Sequence, residues 1–365
     1  VSESVMGADN LEWERATKAD LGIEGRLFNE KVSFVVDIFQ DKRNGIFQQR
    51  TNIPDYVGIP VGFPYGNVGK MKSYGSDGNI SFTQSVGKDF YFTLRGNYTY
   101  SNNKVKEWEE TNLPYDYLFR KGWPHNVTRG FISLGLFKDE ADVKYSPKQF
   151  GEVRPGDIKY KDVDGNGVIN DDDKVPLSFS NYPRFMYGFG GEFGYKNWSL
   201  NVLFKGTGRV DIFRTGVADG NGRLNDQGWV PFNEGKTGNV LSIVNDQANR
   251  WTPASYSGDP STENPNAMFP RLSYGRNENN TKLSTFWMDN ARYLRLEEVS
   301  LTYRLKSGRF LKSLGVSSMD FQLIGYNLFV WDKQKVNIFD PEQTERNGQS
   351  YPIPARYAAQ IYVNF

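Results

Sequence analysis

The feature that most constrains this chain is a period-two alternation of apolar and polar residues, repeated along its length and broken by connections that are short and long in turn. In Phe90–Tyr100, one face carries Phe90, Phe92, Leu94, Gly96, Tyr98 and Tyr100, and the other carries Tyr91, Thr93, Arg95, Asn97 and Thr99. Trp198, Leu200, Val202 and Phe204 alternate with Ser199, Asn201, Leu203 and Lys205; Tyr187, Phe189, Gly191, Phe193 and Tyr195 alternate with Gly188, Gly190, Glu192, Gly194 and Lys196. Val32, Phe34, Val36 and Ile38 do so less cleanly, and Thr17–Leu27, Ser76–Gln84, Leu294–Leu305 and Met319–Trp331 are further strands. The last residues add one more, with Tyr357, Ala359, Ile361, Val363 and Phe365 on its apolar face. The expectation is about nine strands of roughly 9–12 residues, the length a tilted strand needs to cross a bilayer.

Tight turns are expected at Phe28-Asn29-Glu30, Val86-Gly87-Lys88-Asp89 and Lys196-Asn197, and a modest one over 307–317. The intervening connections, about 42–73, 102–184, 206–292 and 332–355, are long. Short periplasmic turns and long extracellular loops produce this alternation in an outer-membrane barrel, whereas a soluble sandwich has no reason to keep every second loop long. The parity places the C-terminus in the periplasm. Aromatics near strand ends (Tyr91, Tyr100, Tyr195, Trp198, Trp331) suit interfacial girdles. An odd count of about nine strands is small for such loops, so the chain reads as the C-terminal part of a larger transmembrane antiparallel β-barrel, all-β in class.

Composition narrows the function classes. No run of about 18 apolar residues exists, which excludes helical spans but not a barrel with a wet lumen. A net charge of +1 supplies no field for nucleic acid. One histidine, His125, and no cysteine leave no multi-histidine or thiolate metal site and no disulfide. Neither a phosphate loop nor a nucleophile elbow is present, and the paired carboxylates lack a setting that would raise one pKa, so no enzyme is expected. The opening residues carry no signal-peptide pattern, so any such segment is expected outside this chain.

One motif carries chemistry. Residues 162–173 match an EF-hand-type calcium loop. Asp162, Asp164 and Asn166 supply oxygens at positions one, three and five, and Gly167 makes the turn at six. The Val168 carbonyl is the seventh-position ligand, Asn170 stands at nine, and Asp173 replaces the usual bidentate Glu at twelve. Pro155 and Pro176 bracket the motif in place of paired helices, so a structural ion is expected rather than a sensor. The same residues also favour turns that bind nothing. Trp229, Arg250 and Trp251, with Asn277-Glu278-Asn279-Asn280, lie in the loop 206–292 and suit sugar or peptide recognition by stacking and planar hydrogen bonds, against ordinary loop packing.

Gly156-Asp157-Ile158-Lys159-Tyr160-Lys161-Asp162 through Ile169, followed by Asn181-Tyr182-Pro183-Arg184-Phe185 and Tyr187-Gly188-Phe189, closely resembles the SusC/RagA family of TonB-dependent outer-membrane transporters. Leu11-Glu12-Trp13-Glu14, Tyr293-Leu294-Arg295-Leu296, Gly325-Tyr326-Asn327-Leu328-Phe329 and Tyr351-Pro352-Ile353-Pro354 extend the likeness to both ends. The resemblance implies a barrel of about 22 strands with an N-terminal plug. It also implies a SusD-like surface lipoprotein as partner, a TonB complex reached through a part absent from this chain, and import of oligosaccharides or peptides across the outer membrane. The whole chain 1–365 is then barrel wall, with 102–184 a long extracellular loop holding the calcium loop and 206–292 a second large one. The alternative is a soluble or surface-attached all-β calcium-stabilised glycan-binding module, which requires two packed sheets.

Overall fold

The structure is a computed structural model and describes residues 11–52, 63–178, 182–214, 242–273, 277–306, 308, 311, 313, 315–336, 340–343 and 351–365. In chain order the strands are β1 (Arg15–Leu27), β2 (Val32–Gln49), β3 (Tyr65–Val86), β4 (Phe90–Glu107), β5 (Arg129–Gly130), β6 (Ser133–Leu136), β7 (Ile158–Tyr160) and β8 (Val175–Pro176). They continue with β9 (Phe185–Tyr195), β10 (Trp198–Thr207), β11 (Asp211–Phe213), β12 (Met288–Lys306), β13 (Ser318–Lys333) and β14 (Arg356–Asn364). Nine of them form one antiparallel sheet in the order β1-β2-β3-β4-β9-β10-β12-β13-β14, with β11 added beside β12. β1 and β14 are its edges, so the sheet does not close on itself within this chain. These nine are the strands the alternation marks.

Their register explains why alternation is so persistent. One row of paired residues crosses the whole sheet: Leu27, Val32, Phe82, Leu94, Gly191, Val202, Val299, Gly325 and Tyr357. The next row, one residue along each strand, is Arg26, Ser33, Ser81, Arg95, Gly190, Leu203, Glu298, Tyr326 and Arg356. Because side chains alternate faces, the first row lies on an apolar face and the second on the polar one. The apolar face is laced by aromatic contacts, including Phe82–Phe92, Tyr98–Phe185, Phe189–Phe204 and Trp198–Tyr303. Several of its side chains remain largely exposed, among them Leu323 and Ile361, each at 62%. The polar face instead carries hydrogen bonds and ion pairs such as Tyr91–Glu192 and Arg304–Asp320.

The turns at one end match the sequence reading. Phe28, Asn29 and Glu30 all adopt positive φ in the first, and Lys196 does so in the third. Strand length differs from it. β2, β3 and β4 have 18, 22 and 18 residues, so the link expected over 42–73 shrinks to 50–64. Their far halves are mostly polar without regular alternation, and backbone pairing, with local apolar contacts such as Phe47 on Tyr65, carries them beyond the membrane-length segment.

Candidate functional site

At the long-loop end, the described residues of 108–184 and 208–287 fold together. The first loop forms two small sheets, β5 with β8 and β6 with β7. Its Phe131, Leu136, Ile158, Tyr160 and Ile169 share a buried core with Val244, Trp251, Ala267, Phe269 and Trp287 of the second loop, and with Val336 of the last. The loops are therefore a packed unit seated on the sheet.

A buried carboxylate joins them. Asp157 is fully buried. Its Oδ1 accepts hydrogen bonds from Asn277 Nδ2 (3.0 Å) and Asn280 Nδ2 (2.8 Å) and pairs with Arg271 Nε (2.9 Å). Its Oδ2 accepts from the Arg154 amide (2.8 Å) and Arg271 Nη2 (3.0 Å). Asn280 Oδ1 in turn accepts from the Ile158 amide at 2.9 Å, and Asn279 Nδ2 donates to the Ile158 carbonyl at 2.6 Å. The side-chain amide nitrogens of Asn277, Asn279 and Asn280 thus satisfy buried groups of the other loop, and the three residues are buried rather than displayed on the loop surface. Nothing in the local sequence distinguishes such amides from exposed ones, and the Asp157 hub was not foreseen.

The acidic loop lies on the flank of this core, its Ile169 buried within it. Asp162 Oδ1 and Oδ2 accept from the amides of Gly165 and Gly167, both at 2.8 Å. Asp164 Oδ1 accepts from the Asn166 amide at 3.0 Å. A short 3₁₀ turn, Asp171–Asp173, carries Asp173 back, where its oxygens accept from the Val163 amide (2.6 Å) and the Asn170 amide (2.8 Å). Asp162, Asp164 and Asp173 each bring one oxygen within 4.8 Å of the others. The side-chain oxygen of Asn166 accepts from the Val168 amide and that of Asn170 caps the Asp172 amide, while Val168 is exposed. Gly167, at φ +83°, supplies the left-handed turn. Partial burial would raise the Asp162 pKa, but the amides of Gly167 and Gly165 outweigh it and hold the carboxyl below its ordinary value. Tyr115 and Tyr117 stack on each other at 5.3 Å. They brace the loop through hydrogen bonds to Asp164 Oδ2 (3.2 Å) and the Asp172 carbonyl (2.6 Å). Converging carboxylate oxygens repel one another, and such a hard, all-oxygen set suits Ca²⁺.

Trp229 lies outside the described residues. Arg250 is buried, donating to the carbonyls of Val244 (2.9 Å) and Asn245 (2.5 Å). Trp251 is buried too, its indole lying against Gly156. Both border a cleft of about 750 Å³ whose rim includes Arg154, Tyr256 and Arg271. A further cluster ties the last loop to the polar face: Arg295 meets Asp340 at 2.5 and 2.7 Å, and Lys205 bridges Glu297 (3.0 Å) and Glu342 (3.1 Å).

This architecture has known counterparts. The family model described as TonB dependent receptor-like, beta-barrel, matches residues 2–231, and the chain belongs to that family. It is 25% identical to TonB-dependent receptor P26 of Formosa agariphila over 98% of this chain and 35% of that protein. It is 21% identical to the TonB-dependent receptor SusC of Bacteroides thetaiotaomicron over 82% of this chain and 27% of that one. The solved RagAB peptide importer in its open-open state superposes with a TM-score of 0.70 at 21% identity, covering 99% of this chain and 36% of that chain. The chain therefore spans about a third of the length of the proteins it matches. Proteins of this family are outer-membrane β-barrels, so the apolar face is the lipid face and the polar face lines the lumen.

Proposed function

We propose that this chain is the C-terminal barrel wall and loop unit of a SusC-like importer that takes oligosaccharides or peptides across the outer membrane. The supporting observation is the apolar row that crosses all nine strands in register, with a packed loop unit at one end of the sheet only. In this reading the loop end is extracellular, the C-terminus is periplasmic, and a SusD-like lipoprotein and the TonB complex act with parts of the transporter beyond this chain. The glycan-binding-module alternative requires a second sheet over the apolar face, and among the described residues none covers it. RagAB is described as a peptide importer, which makes oligopeptides the first substrates to try.

Calcium at Asp162, Asp164, Asn166, Val168, Asn170 and Asp173 completes the proposal: an ion there offsets the carboxylate repulsion and fixes the outer flank of the loop core. The test is uptake of labelled oligopeptides and oligosaccharides by cells carrying the full-length transporter, with and without its TonB complex. Energy-dependent uptake of one class supports the importer; binding without uptake, in a chain that stays soluble without detergent, sinks it. For the ion, titration calorimetry of the full-length protein should detect calcium binding that Asp162→Asn with Asp173→Asn abolishes. Heat signals identical in the two proteins would refute calcium.

A further inference from the structure

We infer that the lipid face carries a binding site for a phosphorylated, acylated glycolipid of the outer leaflet. Two observations on the same strands converge on it. The first is charge. Lys42 of β2 pairs directly with Lys72 of β3, which pairs directly with Lys104 of β4. Counting alternation upward from Val36, Gly78 and Tyr98, all three share the lipid face. They stand about 25–35 Å above the turn end of tilted strands, where the apolar band gives way to headgroups. Neighbouring strands are about 4.8 Å apart, so three like charges sit within about 10 Å. Like charges directly opposite destabilise a sheet unless a counter-charge is supplied. Among the described residues no carboxylate pairs with any of the three, whereas Lys70, on the same strand as Lys72, is paired with Glu107 at 2.7 Å. Tyr74 and Tyr100 lie beneath the row, with the Lys72 ammonium 5.5 Å from the Tyr74 ring centre.

The second observation is shape. Below the tyrosines the lipid face is indented by a groove of about 660 Å³, walled by Phe34, Val36, Ile80, Tyr98, Phe185 and Phe189. Its floor includes Gly78 and Gly96. At Gly96 a Cβ would meet nothing closer than 3.6 Å, so packing does not demand glycine there. Leaving that position bare keeps the groove open. In a bilayer a groove on this face is filled by an acyl chain, and a chain lying in it leads upward to the lysine row. A lipid with phosphate at the headgroup and several chains satisfies both features; a neutral lipid satisfies only the lower one. The inference rests on the reading that the loop end faces outward.

The test uses the full-length transporter extracted from outer membranes in mild detergent, with bound lipid counted by native mass spectrometry. The wild type should retain about one phosphorylated glycolipid per barrel. Lys42→Gln with Lys72→Gln and Lys104→Gln should lower retention at least tenfold, and Gly96→Leu, whose Cβ would meet nothing closer than 3.6 Å, should lower it several-fold with the lysines intact. Excess inorganic phosphate should not displace the lipid. Equal retention in the triple-lysine variant, or equal retention of a dephosphorylated glycolipid, overturns the inference. Labelling of Tyr256→Cys on intact cells separates the two readings, since Tyr256 is exposed on the loop unit. No labelling means the orientation is wrong; labelling with unchanged lipid retention means that only the lipid site is wrong.

Discussion

Replacing Asp157 by Asn tests whether the long loops form one cooperative unit. Asp157 offers two oxygens, both engaged: Oδ1 by Asn277, Asn280 and Arg271, and Oδ2 by Arg271 and the Arg154 amide. A carboxamide keeps one acceptor oxygen and puts an N–H₂ where the other stood. Whichever way it is turned, at least two donors, buried or partly buried, lose their partner and face another donor. Each such loss costs about 1–3 kcal/mol, and Arg271, largely buried, also loses its counter-charge. Breaking a buried ion pair from one side typically costs about 3–5 kcal/mol, and the two routes to the number agree. Hydrogen exchange on the full-length protein in detergent should show the amides of Ile158, Tyr160 and Trp251 exchanging at least about a hundredfold faster in Asp157→Asn, since about 1.4 kcal/mol is tenfold. Strand amides in β10 and β13 should keep their protection, because the barrel ladder does not depend on this contact. Unchanged exchange in the loops would refute the hub. Equal loss in loops and barrel would refute the idea that the loop unit opens separately from the sheet.

Further outcomes follow from the same geometry. Gly156→Ala should destabilise the loop unit by about 2–4 kcal/mol: the residue sits at φ +84°, and a Cβ would come 2.3 Å from the Trp251 ring; proteolysis of the loops in folded barrels reads this out. Leu323→Arg on the lipid face should cost about 2–4 kcal/mol in refolding into lipid, while Gln322→Arg, one residue along on the lumen face, should cost little; equal costs would undo the assignment of faces. Asp162 has a depressed pKa, so its contribution is present above the ordinary value of 3.8 and is lost as pH falls through the lower folded value. Loop protection around Gly165 and Gly167 should therefore hold at neutral pH and decline only below about pH 4, as pH-dependent exchange would show.

What was legible in the sequence follows from what the solvent enforces. Alternation between lipid and lumen marks a strand only while it is in the bilayer. β3 reads clearly from Ser76 to Gln84, and its upper part, from Tyr65 to about Tyr74, does not, because above the apolar band the outer face meets polar headgroups or water and the inner face water or protein, so no period-two contrast is imposed. The same rule hides β5 to β8: strands of two to four residues are held by the core of the loop unit rather than by a period of their own. The acidic loop was readable because ligand spacing is local, six oxygens within twelve residues. The Asp157 hub was not, since its partners lie more than a hundred residues away at Asn277 and Asn280 and only the folded backbone brings them together. The lysine row was hidden for the same reason. Lys42, Lys72 and Lys104 are about thirty residues apart and unremarkable in sequence; they become a cluster only once register aligns three strands. Chemistry carried by local spacing can be read before folding, and chemistry carried by register cannot, which is why the recognition surfaces of a barrel lie among the residues its sequence advertises least.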